Sequence, residues 1–352
     1  MLSLIGMSGE CSEEALSLLL PQESYKKRVI KNLMTDNLIT KRQKDGVIGY
    51  RLMYNGKKYL LQTSEDGLSF YLAEGADFSM RKSTPTQRMR QHRISETIVM
   101  MEKAGIVLDR AIKPPQFEEK PLQTDEHSQS FFYHPKEVKA QSDLTRKIIS
   151  SRMTGVWLTP SAVWLCYNIG SQLPNWFENV EDRAEALIRS MLREKDIPFD
   201  DAGALLFGRS MEWAKECLND PKTVRYILNS SFNQFCYVPL NEKGILYLQL
   251  LNKNDAFTCL QSILAEDLQA DSHDRWISHD GYNPSGLPTL VCIDCDLKRL
   301  IRFITQLRYQ GLQGEVICFD FQKEGIQEYC EEKAKISTVD LETVRRKFLS
   351  GT

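Results

Sequence analysis

Cationic side chains are concentrated in one short part of the sequence. Between Gln22 and Lys58 there are ten Lys or Arg and three Asp or Glu, a local net charge of +7, whereas the 352-residue chain has a formal net charge of −2. A compact positive region on a nearly neutral protein is typical of a surface that binds phosphates. These residue types indicate contact with a nucleic-acid backbone, and by themselves they indicate no reaction.

The elements that would position these cations follow the order of a winged helix-turn-helix over residues 12–62. Apolar residues at helical spacing predict a helix from about Glu23 to Leu38, preceded by a shorter one. Residues 39–53 predict two strands joined by a tight turn, and residues 57–62 a closing helix. A complete domain of this type needs a first helix, which would have to fit within residues 1–8.

In a winged helix of this kind, the Glu23–Leu38 helix would enter the major groove, and the Lys41–Arg51 wing would lie on the neighbouring backbone. The alternative is a winged helix that binds protein and whose basic face is only solvated. The predicted DNA-binding residues of this segment are Tyr25, Lys26, Lys27, Arg28, Lys31, Lys41, Arg42, Lys44 and Arg51.

A second basic stretch begins the helix predicted from about Thr86 to Lys103. Arg88, Arg90 and Arg93 lie in its first half and are predicted to extend the DNA footprint. The alternatives are a solvated helix face, or a dimer helix whose Ile98–Met101 side packs on a second copy of the chain.

Two passages resemble a known family. YRLMYNGKKYL (residues 50–60) and HRISETIVMMEKAGI (residues 92–106) are similar to the replication-relaxation family, winged-helix proteins of plasmids and conjugative elements in Gram-positive bacteria. SRMTGVWLTP and VICFDFQ also resemble passages in proteins of such elements. The resemblance covers roughly residues 10–106, and it implies a role in replication initiation or in the relaxosome, with a relaxase or replication proteins as partners.

The pattern along the chain predicts a multidomain protein of α+β and α/β type, with an N-terminal winged helix-turn-helix and a C-terminal mixed α/β sheet domain. The proline-rich, polar segment between them favours a linker. The helix, hairpin, helix, strand order over residues 144–208 resembles restriction-type nucleases, but the hairpin has no acid and no Lys, which implies an inactive version. The predicted domains are 1–62 (winged helix), 63–106 (helical extension), 107–143 (linker) and 144–352 (α/β domain).

Two groups of C-terminal residues could hold a metal ion. Cys292 and Cys295 have zinc-knuckle spacing, with His273 and His279 upstream, but free buried thiols are commoner in such an apolar context. Asp294, Asp296 and Asp320 end two predicted strands and could hold Mg²⁺, although Asp residues at these places often cap the next helix. No metal site is therefore expected; the three acids are the alternative that remains for a metal-dependent nuclease.

The composition indicates an ordinary globular protein without a membrane span or a signal peptide, and the nine irregularly spaced cysteines favour reduced thiols in the cytoplasm. No catalytic residue and no cofactor is predicted. The predicted function is a DNA-binding accessory protein of a mobile element, with double-stranded DNA, relaxase or replication proteins and a second copy of the chain as partners. The alternatives are a metal-dependent nuclease or nicking enzyme, and a transcriptional regulator with an effector-binding domain.

Overall fold

The first six elements form a small module around a three-stranded sheet. The sheet is antiparallel throughout, in the order β1-β3-β2. In chain order the elements are α1 (Leu2–Ser8), β1 (Cys11–Ser12), α2 (Glu13–Leu19), α3 (Glu23–Thr35), β2 (Ile39–Lys44) and β3 (Val47–Leu52). The computed structural model describes residues 1–63, 68–72, 83–117, 129–140, 148, 150–197, 199–270 and 278–349.

Local sequence signals explain where these elements begin and turn. The Ser12 hydroxyl accepts a hydrogen bond from the Ala15 amide at 3.0 Å and so caps α2. Asp45 and Gly46 both have positive φ, 54° and 74°, as a two-residue turn between antiparallel strands requires. The tight turn predicted from these two residues is confirmed.

Three helices follow the hairpin. They are α4 (Tyr54–Thr63), α5 (Ser69–Leu72) and α6 (Pro85–Lys103). Thr84 and Gln87 form a capping box at the start of α6, with Pro85 in the first turn. The second half of α6 is buried, including Ile98 to Met101, so this apolar stretch packs inside the chain and is not left open for a second copy.

The described part of the expected linker is packed structure. Val107 pairs with Phe131 in a parallel bridge, and β4 (Phe131–Tyr133) pairs antiparallel with β5 (Met153–Leu158). Phe132 is 1% exposed. The composition of 107–143 suggested an open segment, but the aromatic run forms a strand, the Pro114 carbonyl accepts a hydrogen bond from the Tyr133 hydroxyl at 2.8 Å and Pro135 begins a helix. Residues 107–117 and 129–140 are therefore not a linker. A short helix, α7 (Pro135–Ala140), follows β4.

Contacts divide the chain into two compact units, and none of the three breaks between them lies at a predicted domain boundary. Unit 1 comprises Met1–Ser161 and Ala186–Phe199; unit 2 comprises Ala162–Glu185 and Asp200–Thr352. Unit 1 therefore contains the basic segment together with the helical extension and the expected linker.

Unit 2 is a mixed α/β unit, as the alternating pattern predicted. Strands β6, β7 and β8 run parallel in that order, and β10, β11 and β12 form a second parallel set with β9 antiparallel at its edge. Nearly every residue of β7 and β10 is buried, which is typical of parallel strands covered on both faces. The strands are β6 (Ala162–Gly170), β7 (Asp201–Gly208), β8 (Gln234–Pro239), β9 (Gly281–Tyr282), β10 (Pro288–Val291), β11 (Gly314–Phe319) and β12 (Ala334–Val339).

Helices connect these strands. Helix α10 was not predicted; Asp220 caps its first turn and Pro221 begins it. None of the helices in the described residues combines the length and apolar character that crossing a bilayer requires. The helices are α8 (Glu178–Arg193, divided between the units), α9 (Met211–Asn219), α10 (Pro221–Asn229), α11 (Glu242–Asn252), α12 (Asn254–Ala265), α13 (Leu297–Gln310), α14 (Lys323–Cys330) and α15 (Leu341–Phe348).

Candidate nucleic-acid interface

One face of α3 carries three exposed cations. Lys31 lies four positions after Lys27 and three after Arg28, so both side chains are its neighbours on the helix surface. Tyr25 is 43% exposed, and the Arg28 guanidinium lies 5.3 Å from the centre of its ring. This face has few acids, and the exposed Glu23 pairs with Lys27 at 3.4 Å. The arrangement is a positive, partly aromatic strip along one helix.

The hairpin adds further cations. Lys41 and Lys44 are exposed on β2, while Arg42 between them is half-buried. The Lys41 ammonium lies 5.9 Å from the ring centre of Tyr50, its partner in the β2–β3 register. Lys58, on α4, is also exposed, although it is not among the residues predicted to bind DNA.

Lys26 does not belong to the exposed surface. Its side chain is 5% exposed, and its ammonium donates to the Ser17 hydroxyl at 2.7 Å and pairs with Glu23 at 2.6 Å. Lys26 is among the predicted DNA-binding residues because it is a cation near the start of α3. Its position on the helix instead turns it toward α2.

Arg51 and Arg88 are likewise removed from the predicted DNA-contacting set. They are 2% and 1% exposed, and both bind the buried carboxylate of Glu10. The Arg51 Nε lies 2.5 Å from Glu10 Oε2, and Arg88 Nη2 lies 2.7 Å from Oε1. His92 Nε2 lies 2.9 Å from the same Oε1 atom. We call these four residues the Glu10 cluster.

The Glu10 cluster joins α6 to the hairpin. Arg88 also donates to the backbone carbonyls of Lys44 and Arg42, each at 2.9 Å. Burial acts to raise the pKa of Glu10, but hydrogen bonds from His92, Arg88 and Arg51 outweigh it and lower the pKa to about 2. The carboxylate is therefore ionised at any ordinary pH, and through Arg88 the cluster holds the backbone of β2 against α6.

Glycine is required where the hairpin meets this cluster. A Cβ atom at Gly49 would lie 2.5 Å from His92 Nε2 and closer still to Glu10 Oε1. Strand β3 can therefore approach the buried carboxylate only without a side chain at this position.

The remaining predicted cations lie on α6. Arg90 and Arg93 are both half-buried, and burial lowers the pKa of Arg93. They are less accessible to a phosphate than the α3 residues.

The acids proposed as metal ligands have other partners. Asp296 Oδ1 accepts the amides of Lys298 at 2.9 Å and Phe235 at 3.0 Å, so it caps α13. Asp294 pairs with Arg299 at 2.5 Å, and Asp320 accepts the Leu341 amide at 3.2 Å. Within the described ranges no three His, Cys, Asp or Glu side chains come together as a metal site would require.

The cysteine pair is buried. Cys292 and Cys295 are free thiols whose pKa values are raised by burial, which favours the protonated form over the metal-binding thiolate. The His279 ring packs against the Tyr282 ring, with 4.7 Å between the ring centres. His273 lies outside the described residues.

Comparisons of the chain with protein-family models, with curated proteins and with solved structures found no match.

Proposed function

We propose that residues 1–52 form a winged helix that binds double-stranded DNA through α3 and the β2–β3 hairpin. The order of helix, strand, two helices and hairpin supports this proposal, as does the β1-β3-β2 strand order. The observation that carries it is the set of exposed cations on two adjoining elements of one small module: Lys27, Arg28 and Lys31 on α3, and Lys41 and Lys44 on β2.

Helix α3 and the hairpin would contact different parts of the DNA. Helix α3 would enter the major groove, where Tyr25 and Arg28 have groups able to contact base edges. The ammonium groups of Lys41 and Lys44 would contact the phosphates beside the groove. Lys27 would exchange its exposed ion pair with Glu23 for a phosphate, which costs little because exposed pairs are weak.

The biological role follows from the resemblance of residues 10–106 to the replication-relaxation family. In this proposal the chain is a cytoplasmic accessory protein of a mobile element, and unit 2 binds a relaxase, a replication protein or a second copy. Footprinting on the element's origin-of-transfer DNA and on promoter DNA tests this role, since a regulator would protect only the promoter.

The first prediction concerns the α3 face. We expect the triple variant Lys27→Ala, Arg28→Ala, Lys31→Ala to bind a 30-base-pair duplex much more weakly, because it removes three exposed cations. Each lost phosphate contact should reduce the slope of log K against log salt by roughly 0.9. Fluorescence anisotropy at several salt concentrations measures both quantities.

Two further variants serve as controls for this prediction. Lys222→Ala, Arg225→Ala, Lys323→Ala removes three exposed cations of unit 2 and should leave binding near that of the wild type. Lys27→Arg, Arg28→Lys, Lys31→Arg keeps the charge and should keep the salt slope. If the α3 variant binds as the wild type does, or the unit 2 variant is equally weakened, α3 is not the DNA-binding helix.

A further inference from the structure

Unit 1 contains a cavity beside the first helix. Its volume is about 500 Å³, and its walls come from α1, α5, the end of α6 and the segment that follows α6. This volume lies within the range usual for small-molecule sites. The proposed DNA-binding residues of α3 and β2 do not line it, so it is a separate feature of the unit.

The walls of the cavity are mainly apolar. Met7, Leu68, Ile106 and Leu108 contribute aliphatic and thioether surface, and Tyr71 contributes an aromatic ring. Burial raises the pKa of Tyr71, so this phenol stays neutral. A ligand that filled the cavity would therefore need an apolar body.

The charged groups of the lining favour a positive ligand. Glu102 and Asp109 line the cavity and are exposed. Arg110 also lines it, but its guanidinium lies 4.2 Å from the Phe70 ring centre and its Nε 4.0 Å from Glu137 Oε1. The lining therefore carries two carboxylates and one guanidinium that is already engaged, so its formal charge is negative. Asp109 Oδ1 also accepts the Ala111 amide at 2.9 Å, and the Met1 amino group interacts electrostatically with Glu102.

We propose that this cavity binds an organic cation with an apolar, aromatic body. The body would fill the space between α1, α5 and the Ile106–Leu108 segment, and the positive charge would lie near Glu102 and Asp109. Neutral and anionic apolar molecules of the same size would bind less tightly, since they gain no attraction from the carboxylates.

Two ions of similar size and opposite charge test the proposal on the full-length protein. Isothermal titration calorimetry in sodium buffer would compare tetraphenylphosphonium with tetraphenylborate. We expect the phosphonium to bind at one site and the borate to bind at least tenfold more weakly. Equal binding of both ions, or binding of neither, would overturn the proposal.

Variants then locate the site. Glu102→Gln with Asp109→Asn should weaken phosphonium binding by about tenfold, as expected for two exposed charge contacts, and should strengthen borate binding, because it removes two charges that repel the anion. Glu13→Gln with Glu14→Gln, which removes two exposed carboxylates of α2 outside the lining, should have no effect.

Ser3→Trp, on the exposed side of α1, should block the cavity and abolish binding while circular dichroism stays that of the wild type. Phosphonium binding that survives both Ser3→Trp and the Glu102/Asp109 double variant would place the site elsewhere and overturn the assignment. The titration contains no DNA, so its outcome is independent of the proposed function.

Discussion

Asp296 holds a buried carboxyl group at the start of α13. One oxygen accepts two backbone amides, while Oδ2 is buried and has no hydrogen-bond partner among the described residues. Burial, with the nearby Asp294 carboxylate, raises the pKa of Asp296 to about 6. The group therefore serves as a helix cap but is costly to ionise.

This pKa predicts how unfolding depends on pH. The folded pKa lies above the unfolded value of 3.8, so the contribution to stability is complete below pH 3.8 and is lost as the pH rises through about 6. Between pH 4.5 and 7.5 the wild type should lose about 2 kcal/mol from this group.

Asp296→Asn keeps the accepting oxygen and does not titrate. Its free energy of unfolding in urea should therefore fall less over the same pH interval than that of the wild type. The exposed variant Asp255→Asn is the control and should follow the wild type. Parallel pH profiles for Asp296→Asn and the wild type would contradict the assignment.

At the scale of elements, buried hydrogen bonds and ion pairs connect α6 to the hairpin. Arg88 binds the Glu10 carboxylate and two carbonyls of β2, although it is far from them in sequence. A buried charge that loses its partner costs roughly 3–5 kcal/mol. Arg88→Met should therefore lower the free energy of unfolding by about 3 kcal/mol.

The same variant should also weaken DNA binding, because the hairpin would no longer be held in place. Hydrogen exchange of the β2 and β3 amides would measure that loosening directly. Lys103→Met, on the exposed end of the same helix, should change neither quantity. An Arg88→Met protein with wild-type stability and wild-type hairpin exchange would disprove the role of the Glu10 cluster.

The elements also show which features the sequence could predict. The turn at Asp45-Gly46 and the basic face of α3 depend on residues close together in the chain, and both were predicted. The burial of Arg51 and Arg88 depends on Glu10, which lies 41 and 78 positions away. Charge counting treats every cation alike, so it assigned to the DNA surface two arginines that neutralise a buried acid.

At the scale of the whole molecule, the division of the chain was the feature least accessible to sequence. The proline and polar content of residues 107–143 indicated a linker, because such residues are common where helices and strands end. Composition does not show that the aromatic strand β4 pairs with β5, which buries Phe132 and Tyr133. Unit 1 therefore continues through β4 and β5 to Ser161, and it also includes Ala186–Phe199.

This division predicts that residues 1–106 are not an independent folding unit. The Thr97 hydroxyl of α6 donates to the Thr154 hydroxyl of β5 at 3.0 Å, and α6 packs against that strand. A fragment ending at residue 106 loses β4, α7 and β5, and exposes part of the apolar half of α6 to water. We expect it to unfold at a clearly lower temperature than the fragment 1–161, or without a cooperative transition.

Thermal unfolding by circular dichroism, with size-exclusion chromatography to detect aggregation, compares the two fragments. Both contain α3 and the hairpin, so both have the proposed DNA-binding cations. If the less stable fragment also binds DNA more weakly, the cause would be a poorly ordered hairpin, since neither fragment has lost a DNA-contacting residue. Equal melting temperatures for the two fragments would mean that α6 needs no strand from beyond residue 106, and that the basic module folds alone.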